Sequence, residues 1–119
     1  MNSINNFRKL EIYTRSLKLA CEIIQITDDI RPFRLGEQLA GSCISVPSNI
    51  AEGSVKYSTR DFIRYLEYAS GSIAELQTQL YILKAKNILV SSKIEAWVKE
   101  AESIASMIHM LIQLKKKSI

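Results

Sequence analysis

Apolar residues recur every three or four positions through most of the chain, which is the period of a helix. The longest such pattern alternates steps of four and three without a break, through Phe62, Leu66, Ala69, Ile73, Leu76, Leu80 and Leu83. A second heptad pattern runs through Ile94, Trp97, Ala101, Ile104, Ile108 and Leu111. Because two long helices with matched seams and a short connection pack antiparallel, these segments predict one half of a helical bundle.

The first half of the chain predicts two more helices. Its first segment has two adjacent apolar stripes, one comprising Leu10, Tyr13, Leu17, Ala20 and Ile24, the other Ile12, Leu19, Ile23, Ile26 and Ile30. The second segment repeats at Leu35, Leu39, Cys43, Val46 and Ile50. The wide apolar face of the first segment predicts more than one neighbouring helix.

The four segments together predict the fold class. No apolar-polar alternation is long enough to pair as strands, so the sequence predicts an all-α, up-and-down four-helix bundle. The predicted helices cover about residues 8–28, 33–52, 58–86 and 92–115. A chain of 119 residues is most simply one domain, here residues 1–119.

Polar residues and glycine mark the predicted helix ends. Ser58 with Asp61, and Ser92 with Glu95, resemble capping boxes, in which a serine oxygen accepts an unpaired backbone N–H. Gly53 follows the second segment, where a left-handed residue commonly ends a helix. These residues predict where the second, third and fourth helices begin or end.

Pro47 lies inside the predicted second helix. A proline removes one helical hydrogen bond and crowds the carbonyl four residues earlier, that of Cys43, which costs about 3 kcal/mol in an ordinary helix. We expect Ser48 and Asn49 to bond freed backbone groups and Glu52 to meet a cation of the next segment. The stretch is therefore interpreted as a kink that aims the helix, or alternatively as a polar binding surface.

Gly71 lies inside the predicted third helix, where glycine destabilises by about 1 kcal/mol relative to alanine. A glycine between Ser70 and Ser72 permits close backbone approach of a neighbouring helix. We therefore expect the kinked second helix to come close at this point.

Composition limits the function classes. The net charge is +4 and the hydrophobic fraction is 47%, which fits a compact globular protein able to contact phosphates. The apolar runs are far shorter than the roughly 20 residues of a membrane span, so no membrane association is expected. The N-terminus lacks the order of a secretory signal, and the cysteines, 22 positions apart, make no disulfide framework. A cytoplasmic location is expected.

Few residues in the chain could support catalysis. His109 is the only histidine, has no glutamate three residues before it and lies off the apolar seam, which excludes a Glu-x-x-His di-iron site. Cys21 and Cys43 lie in or beside apolar stripes and are interpreted as small buried hydrophobic residues. The four glycines form no phosphate-binding pattern. The sequence therefore predicts a non-enzyme without catalytic residues, metal ligands or cofactors.

Basic residues provide the remaining candidate site. Lys56, Arg60 and Arg64 are candidate nucleic-acid contacts, with Arg60 and Arg64 one helical turn apart. The N-terminal basic residues Arg8, Lys9, Arg15 and Lys18 could support them. Solvated surface charge is the alternative interpretation, and Lys115, Lys116 and Lys117 are explained by the dipole of the last helix. Tyr65 and Tyr68 are expected to pack against helices rather than to stack on bases.

Two motifs resemble a known family. The order of Gln38 and Leu39, then "SVPSNIAEG", then "DFIRYLEYASGSIAELQTQL", resembles the four-helix bundle proteins encoded by intervening sequences in bacterial 23S rRNA genes, also labelled S23 ribosomal proteins. The matching motif residues are Gln38, Pro47, Ser48, Asn49, Glu52, Gly53, Gly71, Ser72 and Glu75. They are interpreted as structural.

The resemblance implies a homopentamer without enzymatic activity. A fold relative, the accessory factor of diversity-generating retroelements, binds nucleic acid and a reverse transcriptase through basic surfaces. Ala40 and Gly41 occupy positions where many members have arginines, which removes charge from the second helix. Apolar residues outside the heptads could cover a subunit interface or be ordinary surface residues; they are Phe7, Tyr57, Tyr65, Tyr81, Val98, Met107 and Ile112.

Two functions therefore stay open. The first is an oligomeric scaffold or interaction module that binds RNA or DNA weakly and without sequence preference. The alternative is a purely protein-protein scaffold or adaptor whose basic residues only keep it soluble.

Overall fold

The computed structural model describes residues 6–89 and 91–119 as a bundle of four helices. They are α1 (Glu11–Thr27), α2 (Phe33–Ser54), α3 (Thr59–Ala85) and α4 (Ser91–Lys116), preceded by a 3-10 turn at Asn6–Lys9. The described residues include no strand, and the bundle measures 46 × 21 × 21 Å. The predicted all-α four-helix bundle is confirmed. The assignment of residues 1–119 to one domain and the pentamer stay predictions.

Consecutive helices pack side by side around a single core. α2 contacts α1 and α3, α3 contacts α4, and α1 meets α4 along a narrower contact. Both predicted heptad seams lie in this core, where all their residues are buried except the half-buried Phe62 and Leu111. The seam prediction for α3 and α4 is therefore confirmed.

On α1, the second predicted stripe is buried more completely than the first, of which Ala20 is buried and Leu10 and Tyr13 pack against the core. Ile12, Leu19 and Ile23 are buried, whereas Leu17 and Ile24 are 41% and 40% exposed. The expectation of a wide buried face is therefore wrong at Leu17 and Ile24. α1 packs broadly against α2 and more narrowly against α4, so the prediction of more than one neighbouring helix is confirmed.

Polar side chains close the narrow seam between α1 and α4. The Arg15 guanidinium donates to both carboxylate oxygens of Glu100, at 2.9 and 2.6 Å, and to the Ser103 hydroxyl at 2.9 Å. Trp97 Nε1 donates to Glu22 Oε1 at 3.0 Å. The hydrogen bond from Arg15 lowers the pKa of Glu100 below its usual value. Arg15 therefore joins two helices and is not a free cation that could support nucleic-acid binding.

The predicted cap of α3 is confirmed. Ser58 precedes the first residue of the helix, and its hydroxyl accepts from the Asp61 backbone N–H at 3.1 Å. The Asp61 carboxylate accepts from Arg64 Nη2 at 3.2 Å, one turn along the same helix. The cap is local in sequence, so the motif alone was sufficient to find it.

The predicted cap of α4 is wrong. The helix begins at Ser91, so Ser92 lies in its first turn and not before it. The Glu95 carboxylate pairs with Lys84 of α3, and this hydrogen bond lowers the pKa of Glu95. An ion pair between helices therefore replaces the predicted local bond.

The left-handed residue that ends a helix is Asn87, not Gly53. Asn87 has φ of 54°, its N–H donates to Lys84 O, and the next N–H, of Ile88, donates to Leu83 O at 3.1 Å. This pair of bonds is a Schellman motif, which satisfies the last carbonyls of α3. No glycine in the described residues has a positive φ, and α2 continues past Gly53 to Ser54. The predicted cap at Gly53 is therefore wrong.

Gly53 instead lets α3 approach α2. A Cβ atom placed on Gly53 would lie 2.6 Å from Tyr65 Cβ and 3.1 Å from Phe62 Cδ1. At Gly71 a Cβ atom would meet nothing within 4 Å, and Gly71 is exposed. The expected close approach therefore occurs at Gly53, and the assignment of this role to Gly71 is wrong.

α2 remains helical through Pro47, which is buried. Asn49 Nδ2 donates to the backbone carbonyl of Ser45 at 3.0 Å. The carbonyl that Pro47 leaves without its helical donor is that of Cys43, so the expected bond from Asn49 to a freed backbone group is wrong. Ser48 and Glu52 are exposed, and Glu52 forms no ion pair with a described cation, so the expected pairing of Glu52 is wrong. The bend at Pro47 stays a prediction.

Candidate functional site

The candidate basic residues lie at one end of the bundle. The antiparallel arrangement brings the start of α3 beside the last turn of α4, and Lys115 Nζ lies 5.6 Å from the centroid of the Phe62 ring. A cavity of about 270 Å³ at this end is lined by Leu10, Ser54, Lys56, Tyr57, Ser58, Thr59, Phe62 and Lys115. We call this surface the basic end, defined by Lys56, Tyr57, Arg60, Arg64, Lys115, Lys116 and Lys117.

The three candidate contacts differ in how they are held. Lys56 Nζ lies 5.1 Å and Arg64 Cζ 5.3 Å from the centroid of the Tyr65 ring, so both have a cation–π partner. Arg64 is also paired with Asp61 at 3.2 Å. Arg60 is exposed and forms no ion pair with a described acidic residue. Arg60 is therefore the least constrained of the three.

Aromatic residues near the basic end lie at different depths. Tyr65 is half-buried and contacts Tyr68 edge to face, with ring centroids 5.3 Å apart. Tyr68 is 49% exposed, so the expected packing holds for Tyr65 better than for Tyr68. Tyr57 is fully exposed beside Lys56 and could stack on a base, a role that the sequence analysis did not assign to it.

The supporting basic residues are spread over two regions. Arg8 and Lys9 are exposed in the turn before α1, which contacts α2. Lys18 lines a separate cavity with Trp97 and Glu100, beside the seam that Arg15 closes. Only Arg8 and Lys9 therefore extend the charge of the basic end.

Four of the nine family-motif residues lie at or beside a different surface, a groove between α2 and α3. This polar groove has a volume of about 380 Å³ and is lined by Gln38, Gly41, Ser42, Ser45, Glu75 and Gln79. The hydroxyls of Ser45 and Ser72 lie 2.8 Å apart, and Asn49 Nδ2 donates to Ser45 Oγ at 2.9 Å. The motif residues Gln38, Asn49, Ser72 and Glu75 therefore belong to one arrangement.

Three residues of the polar groove were missed by the sequence analysis. Ser42 lies outside the quoted stretches, and Ser45 and Gln79 lie within them but were not among the matching residues. Ser42 Oγ nevertheless lies 2.5 Å from Gln79 Oε1, and both side chains are buried. The signal that could have found Ser42 and Gln79 is their spacing, since each lies four residues after a motif residue, Gln38 or Glu75. The remaining motif residues, Pro47, Ser48, Glu52, Gly53 and Gly71, do not line the groove.

Several apolar residues outside the heptads are not available for an interface. Val98 and Ile112 are 8% and 5% exposed and belong to the core, so their assignment to an interface is wrong. Phe7, Tyr65 and Met107 are half-buried, whereas Tyr57 and Tyr81 are exposed. For Tyr65, Tyr81, Val98, Met107 and Ile112 the sequence could not separate the two groups, because each of them lies one position from a seam residue.

An apolar surface lies between α1 and the end of α4. This apolar groove has a volume of about 540 Å³ and is lined by Leu10, Glu11, Ile12, Met107, His109, Met110, Leu111, Gln113, Leu114 and Lys117. Met110 and Leu114 are 69% and 60% exposed. His109 lies at the surface, as its position off the seam predicted.

Comparison with known proteins decides the family. The family model described as 23S rRNA-intervening sequence protein matches residues 8–110, which is most of the chain. The chain belongs to the 23S rRNA-intervening sequence protein family. The resemblance inferred from the two motifs is thereby confirmed.

A solved structure supports the fold of this intervening-sequence protein. The crystal structure of a protein of unknown function from the S23 ribosomal protein family of Bacteroides thetaiotaomicron superposes with a TM-score of 0.80. The sequences are 22% identical, and the match covers 85% of this chain and 97% of the other. At this identity the likeness concerns the fold alone. The comparison with curated proteins found no match.

The described part of the intervening-sequence protein contains no group of three or more His, Cys, Asp or Glu residues arranged to hold a metal ion. None of its described helices is long and apolar enough to cross a membrane.

The two cysteines differ in exposure. Cys43 is 1% exposed and its thiol lies 3.4 Å from the Ala40 carbonyl, whereas Cys21 is exposed. The expectation of a buried residue is confirmed for Cys43 and wrong for Cys21, which lies on the solvent side of α1. Burial raises the pKa of the Cys43 thiol to about 11.

We expect the two thiols to react at very different rates. A shift of the Cys43 pKa from 9.0 to about 11 lowers its thiolate fraction about 100-fold at pH 8, and burial slows its reaction further. A disulfide reagent such as DTNB should therefore modify one thiol rapidly in the native protein and two in denaturant. The rapid phase should disappear in Cys21→Ser. Two equally fast thiols in the native protein would contradict the burial of Cys43.

Proposed function

We propose that this chain is a non-enzymatic interaction module whose basic end binds RNA or DNA weakly and without sequence preference. The proposal assigns the phosphate contacts to Lys56, Arg60 and Arg64. The observation that carries it is the convergence of these residues with Lys115 at one end of the bundle, although α3 and α4 meet there from distant parts of the sequence.

The cluster of basic side chains makes this end suitable for binding phosphates. Binding through Lys and Arg releases the counterions of the nucleic acid, which favours association at low salt and requires no base-specific groups. The exposed ring of Tyr57 beside Lys56 offers a face for base stacking, which tolerates any sequence. Weak binding is expected because two of the cations already have acidic partners. Arg64 is paired with Asp61 at 3.2 Å, and Lys116 is paired with Glu67 at 3.9 Å.

The proposal includes self-association as a homopentamer and a cytoplasmic location. The apolar groove supports self-association, since Met110 and Leu114 are mostly exposed in the single chain. An oligomer would present several basic ends at once, and this multivalency would compensate for the weak affinity of each one.

Neutralising the basic end should weaken binding. For the triple variant Lys56→Gln, Arg60→Gln and Arg64→Gln, we expect about tenfold weaker binding of a labelled single-stranded RNA in fluorescence anisotropy. The slope of log K against log salt should fall by about 2, since each lost contact to a single strand contributes about 0.7.

The control variant removes three exposed cations elsewhere, through Arg34→Gln, Lys93→Gln and Lys99→Gln. It changes the net charge equally and should leave most of the affinity intact. Equal losses in the two triple variants would mean that only net charge matters. Unchanged affinity in the first variant would overturn the assignment to the basic end.

The alternative function is a protein-protein scaffold without nucleic-acid binding. The apolar groove between α1 and α4 favours it, because a mostly exposed apolar pair such as Met110 and Leu114 is typical of a contact surface. Light scattering coupled to gel filtration, with absorbance at 260 and 280 nm, separates the two functions. A nuclease-sensitive excess at 260 nm supports the nucleic-acid module, a clean oligomer supports the scaffold, and a clean monomer contradicts the pentamer.

A further inference from the structure

Gln79 is a buried polar side chain with one unpaired end. The residue is only 9% exposed, and it lines the polar groove between α2 and α3. Its Oε1 lies 2.5 Å from Ser42 Oγ, and no described group bonds to its Nε2. Every fully enclosed side-chain nitrogen or oxygen of the described residues has a hydrogen-bond partner. Because Nε2 has none among the described groups, it is not fully enclosed and must open to the groove.

The short contact indicates which end of the amide is free. Ser42 Oγ donates to the amide oxygen of Gln79 at 2.5 Å, the short end of the O–H···O range. The Ser42 hydroxyl has a single hydrogen, and its distance to the Leu39 carbonyl is longer, 3.2 Å. The NH2 group of Gln79 is therefore available as a donor at the base of the groove.

Acceptors and open space surround this donor. Glu75 precedes Gln79 by one helical turn, is exposed and forms no ion pair with a described cation. The exposed amide of Gln38 faces the same groove from α2. A Cβ atom on Gly41 would meet nothing within 4 Å, so this wall of the groove is open. The groove thus combines one negative charge, amide groups and a free donor.

We propose that the polar groove binds the guanidinium group of an arginine presented by a partner protein. The Glu75 carboxylate accepts two parallel N–H bonds from the guanidinium, and the Gln38 amide oxygen accepts a further one. Arginine fits better than lysine because its planar fork offers several donors in fixed directions. The free NH2 of Gln79 donates to a backbone carbonyl of the same partner segment. A peptide supplies that acceptor beside its cation, whereas a polyamine does not.

A peptide titration followed by NMR tests this site. The probe is the blocked pentapeptide acetyl-Gly-Gly-Arg-Gly-Gly-amide, and the readout is the side-chain NH2 resonance of Gln79 in ¹⁵N-labelled protein. We expect saturable shifts with a Kd of about 1 mM, as for a single charged contact on an open surface. The same peptide with citrulline in place of arginine is isosteric but neutral, and it should bind about tenfold more weakly. Equal shifts with both peptides, or none with either, would overturn the proposal.

Variants locate the contact. Glu75→Gln should weaken peptide binding about tenfold, while Glu102→Gln, an exposed glutamate on α4, should leave it unchanged. Gly41→Arg places a guanidinium in the groove from α2 and should abolish the titration. Gly71→Arg is the matched control, because Gly71 is also exposed, helical and open. Gly41→Arg protein that keeps a native spectrum and binds the peptide normally would place the site elsewhere and sink the assignment.

Discussion

Replacing Leu19 by alanine is expected to lower the free energy of unfolding by about 2–5 kcal/mol, the usual range for truncating a buried leucine. Replacing Leu17, two residues earlier on the same helix, should cost only about 1 kcal/mol, because part of its apolar area is already in water. Leu19 is 3% exposed and Leu17 is 41% exposed. Both variants replace leucine by alanine on the same helix, so the change in helix propensity is the same in each. The difference between their free energies of unfolding therefore reports burial alone.

The cost at Leu19 has two parts. The truncation removes buried methyl and methylene groups, and it leaves a cavity that the neighbouring side chains fill only in part. Leu19 packs in the same core as Leu39 and Ile104, which are fully buried and have little freedom to move into the space. At Leu17 water fills the space at once, so no cavity term arises.

Urea denaturation monitored by circular dichroism measures both variants. The midpoint should fall strongly for Leu19→Ala and slightly for Leu17→Ala, with equal slopes if the unfolding of each variant is two-state. Equal losses would contradict the packing of α1, since they would require Leu17 to be covered as completely as Leu19.

Gly53→Ala is expected to lower the free energy of unfolding by about 1–3 kcal/mol, the range for overpacking a closed site. The added Cβ would lie 2.6 Å from Tyr65 Cβ and 3.3 Å from the Phe62 carbonyl oxygen. Neither atom is the end of a flexible side chain, so relief requires α2 and α3 to move apart. That movement would loosen the packing of the helix pair with the broadest contact in the bundle.

Replacing the two open glycines by alanine should instead raise the free energy of unfolding. Gly41→Ala and Gly71→Ala meet no atom within 4 Å, and alanine is favoured over glycine inside a helix by roughly 0.5–1 kcal/mol. Thermal or urea unfolding of the three variants side by side gives the comparison. Stabilisation by Gly53→Ala similar to that of Gly41→Ala would show that the helices do not meet at Gly53.

The candidate site was only partly accessible from the sequence. Lys56, Arg60 and Arg64 could be named because charge and the spacing along α3 are local properties. The predicted antiparallel packing already implied that the end of α4 lies near the start of α3, but the contact of Lys115 with Phe62 depends on the tertiary structure. The polar groove was hidden because Ser42 and Gln79 are 37 residues apart, and the predicted pairing of α2 with α3 does not fix which of their residues meet.

Periodicity and local motifs were sufficient for the elements themselves. The heptads of α3 and α4 predicted both buried seams, and Ser58 with Asp61 predicted the start of α3, since these signals depend only on residues a few positions apart. The packing of whole helices decided which apolar residues of α1 stay in water, namely Leu17 and Ile24. It also decided that α3 approaches α2 at Gly53 rather than at Gly71, and that Cys43 rather than Cys21 is enclosed. A helical period identifies every apolar face of a helix, but the number and direction of its neighbours determine which face leaves the solvent.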